Sequence, residues 1–299
     1  MTTAAMTPER LQSDLRTYAQ LAQAHYEPSR VEPVIETIAD IAPNALIAVR
    51  TTTEPIGERD VNVRFMHFAT DPVERLRGAG LLSFTGHPIE QVLAAVTAAT
   101  PVQYGVDVSA AGGIQKIWLA LPQLLNVRDV VALPGIPEAA RTHADHLIRW
   151  GGEQICLMAL DFAHRTMNLY AQLMQPGQLP AEDVTASVAE LGFVAPTTDE
   201  LAALEAHSYT IYETFSWTDP GVRRICFPRR FTAQNFPVHL DPVLARFVEG
   251  APLAGNGDHA FTFYAAYGPS GRYYKIQADY NPRGDDIRLP GNNSVPPSH

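Results

Sequence analysis

The chain has 299 residues, a formal net charge of −10 and 46% apolar residues, enough for one large domain or two ordinary ones around a substantial core. The acidic balance argues against a surface for nucleic acid or anionic membrane, so any anion is expected in a private pocket. No apolar run reaches membrane-spanning length and the start MTTAAMTPERLQSDL lacks a secretion signal's apolar segment, so a cytoplasmic protein, monomeric, is expected.

Helices and strand pairs alternate along the chain. A first helix opens at Thr7-Pro8, with Thr7 as N-cap and Pro8 at the first helical position, and VEPVIETIADIA forms a second. The strands ALIAVRTT and RDVNVRFMHF follow, then a helix opening at Asp71-Pro72 and another in HPIEQVLAAVTAAT. PVQYGVDV and GIQKIWLAL make the second pair, and one helix runs from Pro137 to Gly151-Gly152. EQICLMALDF and RTMNLYAQL make the third pair, before a helical stretch from Pro180 to His207 broken at Gly192. SYTIYETFSW with VRRICFPRR, then the helix DPVLARFVEG, then HAFTFYAAYG with RYYKIQADY complete the chain.

Strands joined as hairpins are antiparallel, which disfavours a doubly wound nucleotide-binding sheet. The fold class expected is α+β: a ten-stranded antiparallel β-barrel surrounded by helices, with residues 1–299 as one domain and a poorly patterned tail from about 281. Two smaller domains split near residue 150 are the alternative, disfavoured because no linker divides the chain.

Successive strand residues point to opposite faces. Alternation therefore groups Asp60, Asn62 and Arg64; His164, Thr166, Asn168 and Tyr170; Lys116 with Trp118; Thr210 with Tyr212; Arg224 with Cys226; and Lys275 with Gln277 and Asp279. Helices must cover the apolar faces, and unpaired charges are too costly to bury in a packed core. A ten-stranded barrel is wide enough for a wet, basic cavity. Only two of the 22 basic residues are lysines, Lys116 and Lys275, and both fall in these strands. A compact ammonium binds phosphate as a point charge, so both are candidates for an anion site.

Other signals carry less. Cys156 and Cys226 sit in apolar strands and read as buried, reduced thiols, and the sequon at Asn292 is without meaning in the cytosol. His143 and His146 have metal-chelating spacing but no further ligand nearby, so an exposed helix face is expected. Asp285-Asp286 is a lone acidic pair in the tail, and GAPLAGNGD lacks the strand and helix of a phosphate loop.

The segments GLLSFTGHP (Gly80 to Pro88), GGIQKIWLALP (Gly112 to Pro122), LDFAHRTMNLY (Leu160 to Tyr170), YTIYETFSW followed by RRICF, and YYK at Tyr273 to Lys275 occur in order. Together they resemble the αββα aromatic prenyltransferases over about Asn44 to Tyr280. That resemblance implies transfer of an allylic isoprenoid from its diphosphate to an aromatic small molecule, by Friedel–Crafts-type alkylation. It implies that Lys116, Arg224 and Lys275 hold the diphosphate with Asn168 and Tyr212 donating hydrogen bonds, and that Trp118, Tyr170 and Tyr212 flank the isoprenoid. Arg50 and Arg64 match diphosphate-binding residues of metal-independent members, and Asp60 matches the metal-binding aspartate of magnesium-dependent ones. His164 stands where a cation is common; Thr210, Gln277, Asp279 and Cys156 are assigned to the acceptor pocket. No cofactor is expected, with Mg²⁺ not required. A non-catalytic barrel binding an anionic aromatic metabolite is the alternative reading.

Overall fold

The structure is a computed structural model that describes residues 7–42, 45–68, 70–172, 180–204, 210–254 and 259–281. The acidic pair at Asp285-Asp286, the sequon, part of GAPLAGNGD and the segment 205–209 lie outside them.

Ten strands, β1 (Leu46–Thr52), β2 (Val61–Phe68), β3 (Gln103–Ser109), β4 (Gly113–Asn126), β5 (Gln154–Asp161), β6 (Thr166–Gln172), β7 (Thr210–Ser216), β8 (Arg224–Phe231), β9 (Phe261–Gly268) and β10 (Gly271–Asn281), form the sheet. Each pairs antiparallel with its sequence neighbour, and β1 pairs with β10, closing the barrel. Both halves of the chain therefore contribute to one closed sheet, and no edge is left for another strand to join. Closure is what turns the alternation read from sequence into an inside and an outside.

The outside is apolar. Residues such as Ile47, Val49, Val63, Ile117, Leu119, Leu169, Phe215 and Ile276 are fully buried in one core with the helices. These are α1 (Pro8–Ala22), α2 (Pro28–Thr37), α3 (Val73–Gly78), α4 (Pro88–Ala99), α5 (Val127–Ala132), α6 (Glu138–Thr142), α7 (Ala144–Gly151), α8 (Ala181–Glu190), α9 (Thr198–Leu204) and α10 (Pro242–Gly250). Their starts follow local chemistry. Thr7 Oγ1 accepts from the Arg10 amide at 3.3 Å with Pro8 at the first turn, and His87 with Glu90 forms a capping box on α4.

Three helical expectations need correction. The helix expected from Pro137 to Gly151 is two, interrupted at His143, whose φ of −101° and ψ of 12° leave the helical region. The strand expected to end near Leu121 continues to Asn126, and Asn126 then caps α5, a helix the sequence reading did not anticipate. His146 is not on an exposed face: it is buried, with Nδ1 2.5 Å from Glu213 Oε1 and Nε2 3.0 Å from the Ser187 carbonyl. Glu213 lies on the outer face of β7, where α7 covers it, and an acid under a helix needs that partner.

Candidate active site

The five hairpin turns gather at one mouth of the barrel, and a cavity of about 960 Å³ opens there. Its wall includes Arg50, Asp60, Asn62, Gln115, Lys116, Asp161, His164, Thr214, Arg224, Tyr273 and Lys275. Sequence reasoning placed most of these on inward faces, and closure brings them together. One exception to strict alternation helps: a register shift in the β3–β4 pairing lets consecutive Gln115 and Lys116 both line the cavity. A smaller cleft of about 530 Å³ lies outside the barrel by His143, His146 and Phe193, away from these cations.

The cations differ in how they are answered. Lys116 Nζ is 3.1 Å from Asp161 Oδ2, and Asp161 is also approached by His164 Nδ1 at 3.2 Å. Burial opposes the Asp161 charge, but Lys116 and His164 outweigh it and hold the carboxyl well below its ordinary range. Asp107 lies between two guanidinia, with Arg64 Nε at 2.9 Å and Arg50 at 3.5 Å. Here too burial raises the carboxyl pKa, and Arg64 and Arg50 reverse that. Arg50 also donates to Asn62 at 3.1 Å, and the Asp60 carboxylate, half turned to the mouth, accepts from the Val61 amide and Asn62.

Arg224 and Lys275 are answered by hydroxyls. Arg224 donates to the Tyr273 hydroxyl at 2.7 Å and to Thr214 Oγ1 at 3.0 Å, and Thr214 in turn donates to Asn168 Oδ1 at 2.9 Å. Lys275 Nζ donates to the Tyr212 hydroxyl at 2.8 Å. Burial and the neighbouring Arg224 push the Lys275 ammonium well below its ordinary pKa. Nε of Arg224 and of Arg50 is buried without a hydrogen-bond partner among the described residues. Underused donors beside Arg224 and Lys275, neither of which is paired with a carboxylate among the described residues, make this wall suited to an anion.

Deeper in the bore the wall turns aromatic. Tyr170 stacks on Tyr212 with centroids 4.2 Å apart, and Trp118 meets Tyr170 at 5.6 Å. Arg64 covers the Trp118 ring at 3.9 Å from its centroid. Gly105, the register partner of Trp118, admits this packing: a Cβ there would fall 2.5 Å from Met66 Sδ and 2.7 Å from the Phe65 carbonyl. The four residues assigned to an acceptor pocket lie away from the mouth. Gln277 accepts from Arg64 at 3.1 Å and from Tyr264 at 3.1 Å, and Asp279 pairs with Arg230. Thr210 donates to the Ala171 carbonyl at 2.8 Å, and burial pushes the Cys156 thiol up to about 12. Both cysteines are free and buried.

Sequence reasoning missed Asp107, Asp161, Thr214 and Tyr273. Alternation alone put Asp107 and Asp161 on strands without saying they oppose cations; the register Asp107–Lys116–Asp161 across β3, β4 and β5 does.

A closed antiparallel barrel with cations at its mouth and stacked aromatics in its bore defines a protein built to take an anionic, partly apolar small molecule into its centre. The chain belongs to the aromatic prenyltransferase Orf2 family, whose model matches residues 6–289. It is 28% identical over 254 residues to 5,10-dihydrophenazine-1-carboxylate 9-dimethylallyltransferase of Streptomyces anulatus, covering 83% of this chain and 84% of that protein. It is 28% identical over 263 residues to flaviolin linalyltransferase of Streptomyces virginiae, with 86% of each covered. Among solved structures, 6-dimethylallyltryptophan synthase from Micromonospora olivasterospora, in complex with DMASPP and Trp, superposes with a TM-score of 0.54 over 92% of this chain and 98% of that one, at 13% identity. That last likeness is one of fold. The protein is thus an aromatic prenyltransferase, and the non-catalytic barrel is set aside. No helix among the described residues is long and apolar enough to cross a membrane.

Proposed function

We propose that the protein transfers a dimethylallyl group from its diphosphate to a carbon of an aromatic small molecule, without a required metal ion. The observation that carries this is the pair Arg224 and Lys275, cations met by hydroxyls and set beside the Tyr170–Tyr212 stack. The diphosphate would take Arg224, Lys275, Lys116 and Arg50 as its cationic partners, with Tyr212 and Asn168 as hydrogen-bonding neighbours and His164 at the rim.

As the allylic carbon–oxygen bond breaks, the electron pair leaves with pyrophosphate. Fixed cations stabilise that growing charge more than they stabilise the intact ester, which lowers the barrier. The allyl fragment left behind is a cation that water would quench. Tyr170 and Tyr212 present aromatic faces worth about 0.5 to 2 kcal/mol each to such a cation without offering a strong nucleophile. The acceptor ring then attacks the allyl carbon, and the displaced ring proton passes to water or pyrophosphate.

Metal independence rests on the arginines. Two guanidinia share Asp107, and their surplus charge can do for the diphosphate what a divalent ion does elsewhere. If magnesium does bind, Asp60 at the mouth is the residue to hold it. A five-carbon donor is favoured because Trp118, packed against Tyr170 and under Arg64, puts a bulky ring where the isoprenoid tail would lie.

The test is turnover. Incubation with dimethylallyl diphosphate and a panel of phenols, naphthalenes, indoles and phenazines should release pyrophosphate in proportion to a prenylated product seen by mass spectrometry. Retention of unchanged ligand with no pyrophosphate released from any combination would end this reading.

A further inference from the structure

Two positive groups compete for the carboxylate of Asp161. Oδ2 lies 3.1 Å from Lys116 Nζ, Oδ1 accepts from the His164 amide at 2.8 Å, and His164 Nδ1 stands 3.2 Å from both oxygens. Asp161 and Lys116 are buried in the wall, whereas the His164 side chain, on the turn between β5 and β6, is 65% exposed. All three line the cavity at the mouth. One carboxylate therefore stands between a fixed ammonium and an imidazole that solvent can reach.

His164 Nδ1 has a second neighbour, Gln115 Nε2 at 3.4 Å. Arg50 donates to Asn62 Oδ1 at 3.1 Å and Asn62 Nδ2 donates to Gln115 Oε1 at 2.9 Å, an order that turns the Gln115 N–H toward the imidazole. An unprotonated Nδ1 accepts from Gln115; a protonated one donates to Asp161. Charge follows the choice. With a neutral ring, Lys116 and Asp161 cancel, and with an imidazolium the three groups together carry one net positive charge.

We propose that His164 is a positioning residue for the donor: as imidazolium it takes up the Asp161 charge and so leaves the Lys116 ammonium for the diphosphate. This rests on the prenyl-transfer reading above. The hydrogen bond to Asp161 outweighs burial and the repulsion of Lys116, with Asp60 also favouring the charge, and the imidazole pKa rises above 6.5. Arg165, next along the turn, donates to Thr85 at 3.3 Å, while Arg50, Asp107 and Arg224 act on Lys116 beside Asp161. A bound diphosphate favours the imidazolium, so binding takes up a proton at His164 and weakens as pH rises through the raised value.

The experiment uses the full chain and inorganic pyrophosphate, with affinity measured by calorimetry across a pH series in wild type, His164→Gln, His164→Lys and Asp161→Asn. Titration of the probe and of Lys275 is common to all four and cancels when affinities are compared at one pH. His164→Lys is expected to bind roughly tenfold more tightly than His164→Gln throughout, the scale of one charge at a partly exposed site. Wild type should follow the lysine variant at the acid end and the glutamine variant at the alkaline end. Asp161→Asn should lose this crossover, because its Lys116 has no carboxylate to be freed from. Equal affinities in the two His164 variants, a crossover that persists in Asp161→Asn, or a wild type that binds no pyrophosphate at any pH would overturn the inference. Should Asp161→Asn fail to fold, Lys116→Gln replaces it, and an undiminished crossover there overturns the inference equally. Prenylated product formed from dimethylallyl diphosphate would still leave the prenyl-transfer reading standing.

Discussion

Lys275 Nζ lies 2.8 Å from the Tyr212 hydroxyl, and both residues are buried in the barrel wall. A hydroxyl can accept from an ammonium but cannot neutralise it, so the fold holds a desolvated charge for an anion to answer. Lys116, the other lysine, has a carboxylate at 3.1 Å. The same residue type thus plays two parts, and substitutions should tell them apart.

Lys116→Ala, Arg224→Ala and Lys275→Ala are each expected to lose roughly 2–4 kcal/mol of transition-state stabilisation, the scale of one preorganised electrostatic contact. Their stabilities should diverge. Lys275→Ala removes a strained charge and should melt at or above the wild-type temperature, whereas Lys116→Ala leaves Asp161 buried without its ammonium and should lose on the order of 3 kcal/mol. Thermal melts beside steady-state rates at saturating donor check both halves. Matching melting shifts in the two lysine variants would refute the distinction.

The pH dependence follows from the same groups. Burial lowers the pKa of Lys275 and of Lys116 from the ordinary 10.5. Between the lowered folded values and 10.5 the unfolded chain binds more protons than the folded one, so stability of the ligand-free protein should rise with pH across that window. Donor binding needs the ammonium and should weaken as pH rises through it. Calorimetry with inorganic pyrophosphate across a pH series should therefore show proton uptake on binding and affinity that falls as pH rises toward the ordinary lysine value of 10.5. Affinity independent of pH would contradict the assignment of Lys275.

Metal removal is the next test. Turnover is expected to continue in EDTA, while Arg64→Ala is expected to impair the enzyme, because Asp107 then keeps only Arg50 at 3.5 Å, and to make added Mg²⁺ helpful. A metal-stripped wild type that is inactive until Mg²⁺ returns would show that Asp60 is a metal ligand instead.

For donor length, kcat/KM with dimethylallyl diphosphate should exceed that with geranyl diphosphate, since Trp118, its ring held under Arg64, sets a bulky side chain where a longer tail is proposed to lie. Equal or better kcat/KM with the ten-carbon donor would contradict this.

Outside the barrel, burial works against a charged His146, but the hydrogen bond to Glu213 outweighs it and raises the imidazole pKa above 6.5. That contribution to stability is fully present below 6.5 and lost as pH rises through the raised folded value. His146→Ala leaves Glu213 buried and unpaired, and should cost about 3 kcal/mol in denaturant unfolding while kcat is unchanged. A variant as stable as wild type would show that the pair contributes nothing.

Period-two alternation in strands such as RDVNVRF and GRYYKIQADY was enough to assign Arg64, Lys116, Asn168, Tyr212, Arg224 and Lys275 to polar faces, and helix-separated hairpins were enough for the barrel. These are local properties of the chain: a side chain's face follows from its parity and a hairpin from its turn. Which cation is neutralised and which is left for substrate depends on register between strands far apart in sequence. Asp107 reaches Arg64 over 43 residues and Tyr212 reaches Lys275 over 63. His146 failed for the same reason, since its own helix reads as exposed and only the packing of α7 over Glu213 on β7 buries it. Parity decides which way a charge points, but closure of the barrel decides what it meets there.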